Sequence, residues 1–336
     1  MDALRIGASR RRVTADWSSL VSSRESNEAR GVVQVVEPSV DGVDLCRWGR
    51  EAAALMDEML PRRGAVLFRG FGMNTPERLE TFIRTTSGDP VDYRNRSTPR
   101  SRVAGNIFTS TEYPPDQTIP MHNEMSYTRC WPAKVFFACV TPAAAGGETP
   151  LADSRRVYES IPADVRERFE AAGVMYVRHF TEAVDMSWRE AFQTDDRADV
   201  ERQCADAGIA FSWVGDRLTT RQTCQAVSEH PRTGEKVWFN QAHLFHVSSL
   251  PESARRALLE SFGEDRLPRH AYYGDGSPIG DEELCEIRKA YGAHTVTFAW
   301  QAGDLLAVDN ILIAHGRRPF AGARRVLVGM SEVSNP

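Results

Sequence analysis

Asp304-Leu-Leu-Ala-Val-Asp-Asn-Ile-Leu-Ile-Ala-His315 carries two short apolar, β-branched runs on either side of Asp309-Asn310, a pair suited to a turn. The stretch predicts two strands joined by a tight connection. His315 closes the second run just before the turn segment Gly316-Arg-Arg-Pro-Phe320, which places its imidazole at the rim of a sheet, within reach of a site inside a sandwich.

Working outward, Arg324 to Glu332 is a final strand candidate, and compact β-branched and aromatic runs predict strands at Val135 to Val140 and at Thr295 to Trp300. Gly64-Ala-Val-Leu-Phe-Arg-Gly-Phe-Gly72 predicts a buried strand bounded by glycines. Apolar residues at helical spacing (Leu45, Trp48, Ala52, Leu55, Met56, Met59) predict an amphipathic helix from Val43 to Leu60. A second helix is expected from Thr75 to Ser87, with Thr75 as N-cap and Pro76 in the first turn. Tyr158 to Ala172, Pro251 to Phe262 and Asp281 to Tyr291 read as further helices, Glu182 to Gly208 is charged and polar, and residues 1 to 37 read as irregular. Strands at both ends of a core with helical matter between them predict a mainly β fold with helical decorations. No repeat or linker divides the chain, so residues 1–336 are expected to form one domain, with helical insertions and a lid within 158–292.

The 336 residues suffice for a substantial core, and 41% apolar with 26% charged residues is ordinary for a folded globular protein. Net charge is −5 with both signs interspersed, which gives no basic face for nucleic acid or for an anionic membrane surface. No stretch approaches the ~20 apolar residues of a membrane span, and the basic N-terminus lacks the apolar run of a signal peptide. The six cysteines, Cys46, Cys130, Cys139, Cys204, Cys224 and Cys285, lack C-x-x-C spacing. A cytoplasmic enzyme with free thiols and a small-molecule partner is the expectation.

The sharpest local feature is His122-Asn123-Glu124. In a strand, residues i and i+2 point to the same side, so the imidazole and the carboxylate would converge on one point. Two histidines and one carboxylate on one face form the facial triad of non-haem iron(II) oxygenases, with positions left open for cosubstrate and O2. His315 is the best candidate for the second histidine. Taken alone, H-x-E is weak, and a surface or core histidine is the commoner reading.

Context strengthens it. Met121-His-Asn-Glu-Met-Ser-Tyr127, then Gly146-Gly-Glu-Thr-Pro-Leu-Ala-Asp153, then His315-Gly-Arg-Arg-Pro-Phe320 with Arg324-Arg325, resembles in order and spacing the TauD/TfdA-like taurine dioxygenase superfamily. The resemblance runs from about Gly64 to Met330 and is most like the clavaminate synthase-like and syringomycin-biosynthesis aspartyl hydroxylase-like branch. It implies a double-stranded β-helix, or jelly roll, with Fe(II) between two sheets, bound by His122, Glu124 and His315. It also implies 2-oxoglutarate chelating the iron, O2 as oxidant, and succinate and CO2 as coproducts. The far carboxylate of 2-oxoglutarate calls for an arginine on the last strand, because a guanidinium donates two parallel hydrogen bonds where an ammonium cannot. Arg324 and Arg325 both qualify by position, with Arg324 favoured, and Thr149 is the implied hydroxyl helper.

Glu124 stands where many members carry aspartate and the related halogenases a small residue. A carboxylate there leaves no position for chloride, which favours hydroxylation, or desaturation or cyclisation, over chlorination. The implied substrate is an amino acid or amino-acid derivative, free or tethered to a carrier protein. Asn106, Asn240 and Arg318 are weak substrate candidates, and Thr109, Ser110 and Gln241 carry the same ambiguity. Arg317 is read as part of a polar turn, and His230, His243 and His246 as packing or supporting groups. A zinc hydrolase or lyase also fits two histidines and a glutamate, but H-E-x-x-H is absent and the accompanying arginine and threonine count against it. A non-catalytic jelly-roll binding protein would not need the full set of ligands.

Overall fold

The computed structural model describes residues 16–92, 97–98, 100–111, 113–181 and 184–334. The reading of residues 1 to 15, of 182–183 and of the last two residues lies outside them. An eight-stranded sheet forms the backbone of the fold, in the order Val21–Glu25, Val33–Pro38, Ala65–Phe68, Leu305–Asp309, Trp131–Thr141, Arg325–Ser334, Ile107–Thr109, Arg102–Ala104. A four-stranded sheet, in the order Thr295–Val296, Leu151–Asp153, Ile313–Arg317, Ile119–His122, packs against it. The two together are the jelly-roll core.

Both faces of the larger sheet are buried, which is why its central strands read as unbroken apolar runs. Phe137, Cys139, Leu306, Val308, Val326 and Val328 face the smaller sheet and meet its Leu151 and Ile313. The alternate residues Phe136, Ala138, Leu305, Ala307 and Leu327 face the opposite way, against Met56, Leu60, Leu79, Phe82 and Ile83 of two helices. Those helices are Gly49–Arg63 and Pro76–Ser87. The first stops at Gly64, whose φ of 87° suits glycine, and a Cβ there would lie 2.3 Å from Ile313 Cδ1. The second begins as expected, with the Thr75 side chain accepting from Arg78 N.

Several boundaries differ from expectation for identifiable reasons. The first helix starts at Gly49 rather than Val43, because Asp44 Oδ1 accepts from Cys46 N at 3.2 Å and holds a local turn instead. The expected helix from Tyr158 to Ala172 is two, Ser154–Ser160 and Ala163–Ala172, parted at Pro162. Only Thr295–Val296 of the run to Trp300 is strand. The N-terminal region is not irregular throughout: Val33–Pro38 lies parallel to Ala65–Phe68, and Val21–Glu25 pairs outside it. The segment 158–292 holds the expected helices and also a sheet of its own, made by Val174–His179, Arg217–Cys224, Ala210–Val214 and Arg269–Tyr273. No described helix is long and apolar enough to cross a membrane.

Candidate metal and cosubstrate site

The Ile119–His122 and Ile313–Arg317 strands run antiparallel with His122 directly opposite His315, and the two rings sit 4.6 Å apart between centroids. Glu124 lies beyond the end of its strand, so pleat alternation does not aim it. Asn310 does. Its side-chain oxygen accepts from Glu124 N at 2.7 Å, and its amide nitrogen donates to Glu124 O at 2.9 Å and to Pro132 O at 2.8 Å. The turn between Leu305–Asp309 and Ile313–Arg317 therefore carries the clamp on Glu124 and leads into the strand that holds His315 at its middle. Asp309 Oδ1 closes that turn by accepting from Ile311 N and Leu312 N.

Ligand atoms of His122, Glu124 and His315 all lie within 4.8 Å of one another, and among the described residues no other such cluster could hold a metal. His122 Nδ1 lies 2.8 Å from Pro120 O. A carbonyl only accepts, so Nδ1 carries the proton and Nε2 offers its lone pair to the site. His315 turns Nε2 toward Glu124, 3.9 Å from Oε2, while its ring packs 5.0 Å from that of Phe137. Burial pushes the pKa of both imidazoles down, His315 the further, with His122 and Arg100 beside it adding to the effect. Neutral imidazoles and one carboxylate are the donor set that a divalent borderline metal takes. The residues present fit Fe(II).

A pocket of about 370 Å³, part of it open to solvent, lies beside this cluster and is lined by Arg100, Ser110, Thr149, Arg317, Arg324 and Val326, among others. Arg324 precedes the last strand and shares the face of Val326 and Val328. Its Nε donates to Gly147 O at 2.9 Å and its Nη1 reaches Ser110 Oγ at 3.5 Å. Burial, with Arg317 nearby, lowers its pKa to about 10, so it remains a cation at neutral pH. Thr149 is buried, and its hydroxyl accepts from Trp300 Nε1 at 3.1 Å. The pair Arg324 and Thr149 could hold the far carboxylate of a keto diacid.

The other candidates fall elsewhere. Arg325 is exposed, whereas Arg324 lines the pocket. Asn106 tightens the hairpin before Ile107–Thr109, donating to Pro90 O, and Asn240 is wholly buried between Ala226 O and Ala242 N. Arg318 is exposed. None of these four lines the pocket. Gln241 and His243 support the first strand from behind, through Asn123 O and Met121 O, and His230 holds Asp309.

Three contributors were not assigned to the site from the sequence. Arg317, two residues after His315 and on its face, ties down the 113–117 segment through Tyr113 O, Pro114 O and Gln117 O. That spacing was a usable signal. Asn310 stood out only as a turn residue. Arg100, whose Nη2 donates to Glu124 Oε2 at 2.6 Å, belongs to no motif and left no signal.

A model of the family described as "Taurine catabolism dioxygenase TauD, TfdA family" matches residues 27–331. The chain is 41% identical over 282 residues to the dapdiamide synthesis protein DdaC of Enterobacter agglomerans, covering 84% of this chain and 86% of that one. It is 33% identical to a clavaminate synthase-like protein of Arabidopsis thaliana, covering 82% and 83%. The fold is similar to that of PvcB from Pseudomonas aeruginosa, with a TM-score of 0.55 at 16% identity, over 92% of this chain and 90% of that one.

Proposed function

The chain belongs to the TauD/TfdA family of Fe(II)- and 2-oxoglutarate-dependent dioxygenases, and from that premise we propose that it hydroxylates an unactivated C–H bond of an amino acid or amino-acid derivative. The observation that carries the reading is His122 and His315 in register on paired strands, with Glu124 beside them and Arg324 in the adjoining pocket. His122, Glu124 and His315 hold the metal, and Arg324 with Thr149 holds 2-oxoglutarate. The likeness to a dapdiamide synthesis protein supports a place in secondary-metabolite assembly.

Iron(II) bound there with 2-oxoglutarate supplies O2 activation and oxidation of the substrate C–H bond. The protein's part is positional. Pro120 O fixes the tautomer of His122, Asn310 fixes the backbone of Glu124, and Arg324 orients the cosubstrate from its far end. Ile119, Phe137, Val326 and Val328 give the pocket apolar walls, which limit water around the reacting centre. The free state of all six cysteines accords with work in the cytoplasm.

The test is to incubate the Fe(II)-loaded protein with 2-oxoglutarate, O2 and a panel of amino acids, both free and as carrier-protein thioesters, following succinate and product mass. Substrate-dependent succinate together with gain of one oxygen atom supports hydroxylation. Loss of two hydrogens instead would make the enzyme a desaturase or cyclase, and no substrate-stimulated succinate from either panel would contradict the amino-acid assignment.

A further inference from the structure

Glu124 is held twice. Asn310 takes its backbone, and Arg100 takes one oxygen of its side chain, Nη2 to Oε2 at 2.6 Å, with both side chains 3% exposed. Arg100 is itself anchored, its Nε donating to Thr111 Oγ1 at 3.3 Å, and Thr111 is buried as well. A buried cation this close to a group that must bind a dication is electrostatically adverse to metal uptake. A site built only for affinity would not place it there.

We propose that Arg100 is a positioning residue that limits Glu124 to one oxygen toward the metal, and so keeps a coordination position free for 2-oxoglutarate. The proposal rests on the metal and cosubstrate assignment above. A carboxylate with both oxygens free can take two positions on one ion, and a keto acid that chelates needs two adjacent positions of its own. The guanidinium holds Oε2, which also lies 3.9 Å from His315 Nε2, by a charge-assisted hydrogen bond, so the carboxylate is not free to turn both oxygens to the ion at once. Hydrogen bonds that orient metal-bound carboxylates act in this way generally. The consequence is a split: removing Arg100 should harm 2-oxoglutarate binding while sparing or improving metal binding.

Arg100→Met and Arg100→Lys, checked for folding by circular dichroism, are titrated anaerobically with Mn(II) alone and then with 2-oxoglutarate. Co(II)-loaded samples are examined by ligand-field absorption before 2-oxoglutarate is added. Arg100→Met is expected to bind Mn(II) at least as tightly as the parent, to show a changed Co(II) spectrum, and to need about 10- to 100-fold more 2-oxoglutarate. Arg100→Lys, which keeps a donor for Oε2, should stay near the parent on all three counts. Metal and 2-oxoglutarate affinities falling together would make Arg100 merely structural and overturn the proposal. So would an unaltered Co(II) spectrum in Arg100→Met, which would reduce any cosubstrate effect to lost charge. If the parent protein binds metal but not 2-oxoglutarate, the functional reading itself fails, and that is visible before any variant is compared.

Discussion

Asn310 and Glu124 exchange two hydrogen bonds, Glu124 N to Asn310 Oδ1 at 2.7 Å and Asn310 Nδ2 to Glu124 O at 2.9 Å, so a side chain substitutes for a partner strand where the strand of His122 has ended. Asn310→Ala removes the side-chain partner of one buried N–H, that of Glu124, and of two buried carbonyls, those of Glu124 and Pro132. It should cost on the order of 3 kcal/mol in stability and weaken metal binding by about 10- to 100-fold. Denaturant unfolding read beside a metal titration checks both, and a variant with parental metal affinity would contradict the clamp.

Arg324 and Arg325 separate cleanly, one half-buried beside the pocket and one exposed. Arg324→Lys loses the planar fork and should weaken 2-oxoglutarate by about 2 kcal/mol, roughly 30-fold, without changing metal affinity. Arg325→Lys should stay within about 0.5 kcal/mol of the parent. Calorimetric titration of 2-oxoglutarate onto the metal-loaded variants decides between them.

Gly147 offers a subtler handle on the same arginine. It has φ of +74°, and a Cβ there would stand 2.9 Å from Arg324 Cδ and 3.1 Å from its Nε. Gly147→Ala should displace the guanidinium and raise the 2-oxoglutarate requirement while leaving metal binding intact. Equal loss of both would mean that the loop, and not the arginine, had moved.

Acid should destabilise the fold through histidines away from the metal cluster. Burial lowers His246 to about 4 and His270 to about 3, with their tilted rings 4.3 Å apart, and His243 to about 3. The unfolded chain binds these protons near the ordinary value of about 6.5, so between there and pH 3 to 4 it holds more protons than the folded chain. Stability therefore falls as pH drops through that window and is unaffected by these groups above it. Thermal unfolding from pH 8 to 4 should show the decline, and His270→Asn should make it shallower.

Much of this site was legible because strand chemistry is local. The apolar run from Leu305 to Ala314 forms two strands joined at Asp309-Asn310, as read, but the turn extends through Leu312 and the second strand runs on through Gly316 and Arg317, so His315 stands inside it, between two partner strands, and not at its end. The H-x-E spacing pointed to two residues that the structure does bring together with His315, but through incomplete physics, since Glu124 is aimed by Asn310 and not by the pleat. Arg100 was not legible at all, because its partner stands 24 residues on and the contact depends on how the chain enters the sandwich. Asn106 and Asn240 misled for the converse reason. A buried amide satisfied by backbone looks, in sequence, the same as one waiting for a ligand.

The most direct test of the central claim is anaerobic titration of the metal-free protein with Fe(II) and then 2-oxoglutarate, following the visible charge-transfer absorption of a keto acid chelated to iron. The band should appear in the parent protein and be lost in His122→Ala and His315→Ala. Its absence from the Fe(II)-loaded parent, or its persistence in both histidine variants, would contradict the assignment of this site.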